Sequence, residues 1–528
     1  MLRIEGIKCP PGADQGLLLK KAARLLRCKP EDIRRFTVLR RAVDAREGLQ
    51  LVYTLAVELA DEGAVLRRCR SRAVSAYAPA VYHLPPPVSA LPERPVIVGA
   101  GPAGLFAALV LASCGARPIL LERGAPVEQR QRDVADFFAT GRLNTESNVQ
   151  FGEGGAGAFS DGKLNTGTRD VRHRFIMEEL VACGAPETIL YDAKPHVGTD
   201  KLHIALMALR KKLIDLGTDI RFGHRLEGLA VESGTLTGLT VAGPEGRYTL
   251  PCRRAVLALG HSARDTVEAL YRQGVHMEAK PFAVGVRIEH RQADIDAAQY
   301  REFAGHPALG AATYKLSCHT AGGRGVFSFC VCPGGEVVAA ASEKNRAVTN
   351  GMSEYARAKE NINGGLLVGV TPADFPTGDP LAGIAFQRQL EQAAYDLGGG
   401  GYRAPCQRVE DFLLRKPSTG CGRVQPSYRP GVTYTDLHRC LPGFITDTLE
   451  EALPLLGRKL PGFDAPDALL TAVESRSSAP VRIPRDGAYQ CNIRGVYPCG
   501  EGAGYAGGIL SAAADGMRCA EKLREEYL

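Results

Sequence analysis

Residues 95–124 read PVIVGAGPAGLFAALVLASCGARPILLERG. A short apolar, β-branched run leads into Gly99, Gly101 and Gly104, an apolar helical segment follows, and a second short strand ends at Glu122. This is a β-turn-α-β unit with G-x-G-x-x-G in the turn. Gly99 permits the tight exit from the strand, Gly101 lets the backbone approach a pyrophosphate, and Gly104 lets the helix pack close to the sheet. Pro102 and Ala103 open the helix, whose N-terminus directs unpaired N–H groups and partial positive charge at a phosphate. Glu122 stands where a carboxylate accepts both ribose hydroxyl protons and repels a 2′-phosphate, and Arg123 adjoins it. The unit predicts a bound dinucleotide without distinguishing FAD from NAD.

A chain of 528 residues has room for several domains, and its 45% hydrophobic and 23% charged content is that of an ordinary globular protein. No apolar run approaches the roughly 20 residues that span a bilayer, and the first residues lack the charged and apolar segments of a secretion signal, so a cytoplasmic protein is expected. The fifteen cysteines form no C-x-x-C pair and no zinc-spaced cluster, which predicts free thiols and no metal site. Of the net charge of +7, residues 1–93 carry +6, from 16 Lys/Arg against 10 Asp/Glu. That excess reads as a solvated basic face in preference to a nucleic-acid surface.

Residues 1–78 read as a small α+β module: a strand at 2–7, a helix over 14–27 with Asp14 as N-cap and Leu18, Ala22, Leu25 and Leu26 on one face, then strands at 35–43 and 49–59 joined by a turn at 46–48. Six prolines between 79 and 95 mark an extended linker over 79–93. Beyond the dinucleotide unit, 127–140 reads as a polar helix, followed by NVQFGEGGAGAFSDGKLNTGTRD at 148–170. Gly152, Gly154, Gly155 and Gly157, with Ser160, Asp161 and Lys163 close behind, offer backbone donors without bulk, as a phosphate or flavin contact requires. A helix at 200–216 and short strands over 219–254 lead to AVLALG, which closes on Gly260. Residues 274–470 change to strands and turns without a second G-x-G-x-x-G, so a nicotinamide donor such as NAD(P)H, if used, binds transiently. The chain then returns to the first pattern: a strand at 496–498, Gly500, Glu501, Gly502, Gly504, Gly507 and Gly508, and a helix from Ile509. Two glycine-rich turns into helices suit a ligand with two separated polar ends, a pyrophosphate and a flavin pyrimidine ring.

At these residues the sequence resembles the glutathione-reductase-type flavoproteins, in which a late strand ending in Gly-Asp touches the ribitol of FAD; Gly500 and Glu501 stand at that position, with glutamate one methylene longer. More narrowly, it is similar over nearly its whole length to a bacterial family of uncharacterised FAD-dependent dehydrogenases, or NAD(P)/FAD-dependent oxidoreductases. The strings that carry this are NVQFGEGGAGAFSDGKLNT, FSFCVCPGGEVVAAASE, VTNGMS and VESRSSAPVRI together with YPCGEGAGYAGGILSAAADG. The resemblance implies FAD binding, redox chemistry and a ferredoxin-like N-terminal domain.

The expected fold class is α/β. A Rossmann-type FAD-binding domain is formed by 94–273 and 471–528, an inserted α+β substrate domain at 274–470 covers the flavin, and a small ferredoxin-like α+β domain occupies 1–78. Candidates for chemistry are fewer. In FSFCVC the strand alternation puts Cys330 and Cys332 on one face, where an extended i, i+2 pair does not readily close a disulfide and a single thiol near the flavin is the simpler reading. His319 reads as an acid/base candidate with Arg324 as an anion contact, and Arg476 and Arg482 as contacts for an acidic substrate or partners of carboxylates. The expected activity is hydride transfer between FAD and a small-molecule substrate; an RNA-associated flavoprotein using the basic N-terminal domain and an FAD sensor or scaffold without turnover are the alternatives.

Overall fold

The strand expected after residue 95 lies at the centre of an open parallel sheet. Its strands run Val496–Pro498, Ala255–Leu257, Val96–Val98, Ile119–Glu122 and Asp219–Phe222 across the sheet, each parallel to its neighbours. Ranked by position in the chain this is the order 5-4-1-2-3, the doubly wound arrangement, with the connections reversing direction between Val96–Val98 and Ala255–Leu257. Ligands of such sheets bind in the crevice beyond the carboxyl ends of the strands at that reversal. The computed structural model on which this description rests describes residues 1–45, 48–69, 71–88, 93–375 and 378–527.

The helix Pro102–Ser113 is apolar on every face because every face is covered: residues 103 to 112 are all buried. One side lies on the sheet; the other meets the C-terminal helix Ile509–Glu525, which approaches so closely that a Cβ on Gly516 would stand 2.0 Å from the Ala103 carbonyl oxygen. Val127, Val134, Leu202 and Leu209 of the helices Val127–Thr140 and Thr199–Asp215 join the same core, while Phe137 packs in a neighbouring cluster with Tyr402.

Among the described residues a second, eight-stranded sheet is built from the middle of the chain. Its path runs Ser317–His319, Gly325–Ala339, Asn361–Val370, Phe282–Arg291, Leu469–Glu474, Ala404–Arg408 and Val432–Tyr434, with Thr349–Met352 paired to Gly325–Ala339. Helices Ala382–Leu397 and Gly443–Gly457 contribute to its core. Leu469–Glu474 ladders with both Phe282–Arg291 and Ala404–Arg408. The boundary expected at 470/471 therefore cuts through a strand, and the inserted sheet continues to Glu474. A two-stranded ribbon, Glu278–Ala279 against Val481–Arg482, joins the segments that enter and leave it.

The N-terminal residues form an antiparallel sheet in the order Ile33–Asp44, Gln50–Leu59, Leu2–Cys9, Val74–Ala76, with helices Gln15–Leu26 and Glu62–Arg68 in the connections. This β-α-β-β-α-β order is the split β-α-β arrangement. Asp14 caps the first helix by accepting from the Leu17 N–H at 2.8 Å. Part of the turn expected at 46–48, and residues 89–92 of the linker, lie outside the described residues. The described part of the linker has no regular structure yet is not a loose tether. Tyr82 donates to Glu521 at 2.7 Å, and the Pro85 and Pro86 carbonyls accept from Cys114 and Arg524. Arg41 adds a bidentate pair with Asp192 at 2.8 and 3.0 Å.

Candidate functional site

Beyond the carboxyl ends of the parallel strands lies a cavity of about 750 Å³, bounded by the parallel sheet on one side and by the inserted sheet on the other. That volume lies within the range of cofactor sites. Two helix N-termini face it, those of Pro102–Ser113 and Ile509–Glu525, so both glycine turns direct backbone donors inward.

The first turn contributes Gly99, Gly101, Pro102 and Ala103 to the lining. Gly99 has φ +105° and a Cβ there would meet the Ala258 carbonyl oxygen at 2.3 Å. Gly104 does not reach the cavity. A Cβ on it would lie 1.8 Å from the Gly99 carbonyl oxygen, so its part is the close seating of helix on turn. The glycine-rich loop supplies Gly152, Gly155 and Gly157. Gly154 turns away instead, with its Cβ position against Leu206 at 2.4 Å. Gly260 and, from the last turn, Gly500, Glu501, Gly507, Gly508 and Ile509 complete the lining. Gly502 is withdrawn from it, pressed against the backbone of Gly260, where a Cβ would stand 2.4 Å from the carbonyl oxygen. Gly155 packs on Gly101 and Gly157 on Ile509, with Cβ positions at 3.2 Å from each neighbour. Three motifs, the last more than three hundred residues beyond the first two, thus share one cradle.

Glu122 is 5% exposed and lines the cavity, but its carboxylate is already engaged. Oε1 accepts from the Gly124 and Gly152 amides at 2.9 and 3.0 Å, and Oε2 from Ala100 at 2.8 Å. With two lone pairs per oxygen, one acceptor position on Oε2 remains, so the expectation that Glu122 takes both ribose hydroxyls is corrected to one. Arg123 pairs with Glu146 and Asp265 and lies 3.9 Å from the Phe151 ring centroid.

Two residues that sequence reasoning passed over hold the cradle in shape. Arg130 is fully buried and donates to five backbone carbonyls of the glycine-rich loop, those of Asn148, Val149, Gly152, Glu153 and Gly155. Burial pulls its pKa down to about 10, still far above neutrality. Its position was legible as an anomaly: it shares the buried face of its helix with Val127, Val134 and Phe137. Asp515, 2% exposed, accepts from the Gly500 amide at 2.8 Å and from Arg485 at 2.6 and 2.9 Å, which secures the last turn.

At the end formed by the inserted sheet the lining becomes titratable: Lys163, Lys280, Cys330, Glu474, Arg482 and Glu501. Burial raises the Glu501 carboxyl to about 7; Lys280 opposes the rise and Cys330 adds to it. Lys163 is held by Asp161 at 2.7 Å and by the Val331 carbonyl, and Asp161 takes a bidentate pair from Arg357 at 2.6 and 2.8 Å. Glu474 pairs with the fully buried Arg287 at 3.0 Å, and Arg287 also donates to the Cys330 carbonyl at 2.8 Å. Arg476 lines the cavity yet its guanidinium is committed to Glu391 at 2.9 and 3.1 Å, which makes it a partner of carboxylates.

The alternation expected for FSFCVC does not hold. The ladder shifts register between Phe329 and Cys332, and Cys330 has φ +41°, so the strand bulges there. Cys330 reaches the cavity while Cys332 is fully buried behind it, its thiol donating to the Cys330 carbonyl at 3.3 Å. Contact with the Cys332 thiol draws the Cys330 thiol below its ordinary range; burial opposes this, and Arg287 and Lys163 reinforce it. His319 and Arg324 are not in the site. His319 is exposed on the edge strand Ser317–His319, and Arg324 is neutralised by Asp374 at 2.7 Å and bonded to the Gly369 carbonyl. Neither lines the cavity, so neither acts in it.

The glycine cradle, which Cβ atoms would fill, and the two helix N-termini fit a dinucleotide. Residues 94–135 match the FAD binding domain, residues 281–477 the C-terminal domain of FAD-dependent proteins, and residues 1–60 a domain of unknown function. An uncharacterized protein of Clostridium beijerinckii is 44% identical over 531 aligned residues, covering 100% of this chain and 99% of that one. The anhydrotetracycline monooxygenase of Streptomyces rimosus is 29% identical over 166 residues, 30% of this chain and 28% of its own length. Among solved structures, a geranylgeranyl bacteriochlorophyll reductase-like protein of Thermoplasma acidophilum aligns at 13% identity and a TM-score of 0.35, covering 81% of this chain and 77% of its own. The two FAD-related family models show an FAD-dependent flavoprotein broadly and do not single out the glutathione-reductase type. Among the described residues no helix is long and apolar enough to cross a membrane. Similar from end to end to the Clostridium protein, the chain belongs with it to a family of FAD-dependent proteins, and FAD is its cofactor.

Proposed function

We propose that the chain is an FAD-dependent oxidoreductase acting on a small molecule admitted between the last glycine turn and the inserted sheet. The observation that carries this reading is a single cavity in which the glycine turns and two helix N-termini meet ionisable side chains on the inserted-sheet side, Cys330 and Glu474 among them. Held there, FAD supplies two-electron redox chemistry. The Gly99–Gly101 turn, the Gly152–Gly157 loop and one acceptor position on Glu122 would hold its pyrophosphate and adenosine ribose. Gly500 to Ile509 would face its other half.

Residues from three segments divide the remaining work. Phe329 of the inserted sheet walls the cavity. The Glu501 carboxyl, with a pKa near neutrality, holds or releases a proton within the cavity. Lys163, oriented by Asp161, offers a fixed positive charge to an anionic group. The likeness to the monooxygenase supports flavin redox chemistry and leaves the substrate to be found, since it spans under a third of either chain.

The test is anaerobic mixing of the FAD-loaded protein with NADH and NADPH in turn, following the flavin absorbance. Rapid bleaching by one of them, reversed by an acceptor, is the expected result. Bound FAD that no nicotinamide or metabolite donor reduces would overturn catalysis in favour of a sensing or scaffolding role.

A further inference from the structure

The N-terminal domain carries a second concavity, different in character from the first. It has a volume of about 580 Å³ and is lined by Lys8, Lys21, Arg24 and Arg27 over a floor that includes Ile7 and Leu25. No carboxylate lines it. Lys8 lies 3.6 Å from Asp44, but Lys21, Arg24 and Arg27 have no ion-pair partner among the described residues. The Lys21 ammonium donates to the Lys8 backbone carbonyl, which holds the Lys21 side chain against the strand Leu2–Cys9.

Like charges held together without a counter-ion repel, and cations three apart on a helix destabilise it. The dipole of the helix Gln15–Leu26 accounts for basic residues in its last turn, such as Arg24. It does not account for Lys8, which comes from the neighbouring strand Leu2–Cys9, or for a concave arrangement. Guanidinium forks and ammonium groups converging on one hollow are the donor set for phosphate oxygens. The volume exceeds that of a phosphate group alone and falls within the range of small-ligand sites, and the floor is apolar.

We propose that this hollow binds a small phosphorylated ligand, so that the N-terminal domain is a second ligand-binding module of the flavoprotein. The test is calorimetric titration of the full-length, FAD-loaded protein with inorganic pyrophosphate and, separately, with ADP. Saturable binding at one site per chain is expected, weakened at least tenfold in Lys21→Gln/Arg24→Gln while FAD content is unchanged and the thermal midpoint does not fall. ADP binding more tightly than pyrophosphate identifies a nucleotide; equal binding identifies the phosphate groups alone. Absence of binding by both probes, or equal affinity in the double variant, overturns the proposal. So does a single-stranded RNA oligonucleotide that binds more tightly than either probe and loses affinity in the same variant, because the face is then a nucleic-acid surface.

Discussion

Arg130 shows how one buried side chain sets the shape of a ligand site it does not need to touch. Its guanidinium answers five carbonyls that point inward in the glycine-rich loop; those of Gly152 and Gly155 also accept backbone N–H groups, whereas those of Asn148, Val149 and Glu153 rely on Arg130. Arg130→Met keeps much of the volume and leaves those carbonyls unpaired, at a cost of about 1–3 kcal/mol for each that finds no water. The expected outcome is a protein that melts earlier and is purified without FAD, read by differential scanning calorimetry and the flavin spectrum. Glu501 acts by charge. Its carboxyl titrates near pH 7 because burial disfavours the ionised form. Its neutral form therefore predominates below that pH, and ionisation above it places negative charge beside a cofactor that must accept electrons. Flavin reduction should slow as pH rises through about 7, and Glu501→Gln should remove that inflection in stopped-flow measurements. An unchanged pH profile in the variant would show that Glu501 does not face the reacting end.

At the scale of the element, the turn from Val96–Val98 into Pro102–Ser113 separates folding from binding within five residues. Gly104→Ala places a methyl group 1.8 Å from the Gly99 carbonyl oxygen, so the helix must shift; a loss of about 1–3 kcal/mol of stability is expected by thermal melting. Gly101→Ala is different. Its nearest neighbour would be the Gly155 Cα at 3.8 Å, an ordinary contact, and Gly101 lines the cavity. That variant should melt like the unloaded parent and fail to retain FAD on equilibrium dialysis. The bulge at Cys330 is a second case of an element serving the site, since it brings one thiol into the cavity and sets the other behind it.

For the whole molecule, the two sheets are joined by a buried cluster of charge. Arg264 from the parallel-sheet side and Arg476 from the returning segment both close on Glu391, which is wholly buried in the helix Ala382–Leu397. Burial by itself would raise the Glu391 carboxyl, but Arg264 and Arg476 hold it far below the usual carboxylate range. A carboxyl so depressed stabilises the fold above its unfolded pKa of about 4.3, and that contribution is lost as pH falls below it. Glu391→Gln leaves two buried guanidinium groups short of their counter-charge and should cost about 3–5 kcal/mol near neutral pH. As pH falls from 7 to 3 the gap between variant and parent should narrow, which urea titrations at the two values would show. A variant equally destabilised at both pH values would assign the loss to packing instead of charge.

Local chemistry made much of this protein readable in one dimension. The glycine spacing at 99–104 with an acid at the end of the next strand, the Asp14 cap, the strand at 496–498 and the helix from Ile509 all depend on neighbours a few residues away, and they stand where the sequence places them. Fourteen candidates besides Glu122 also meet on one cavity because glycine turns must face something that approaches the backbone. What the chain order could not convey are the relations between distant segments. Arg130 looked like one more polar residue of a surface helix until a loop was folded over it. His319 and Arg324 had suitable chemistry and fell on the edge strand Ser317–His319 and in the turn after it, a hairpin at the margin of a sheet whose inner ladders join segments far apart in the chain. The break at Cys330 and the strand that carries the insertion to Glu474 have the same origin: register and closure are settled by long-range ladders and packing, whose free energy no local pattern records.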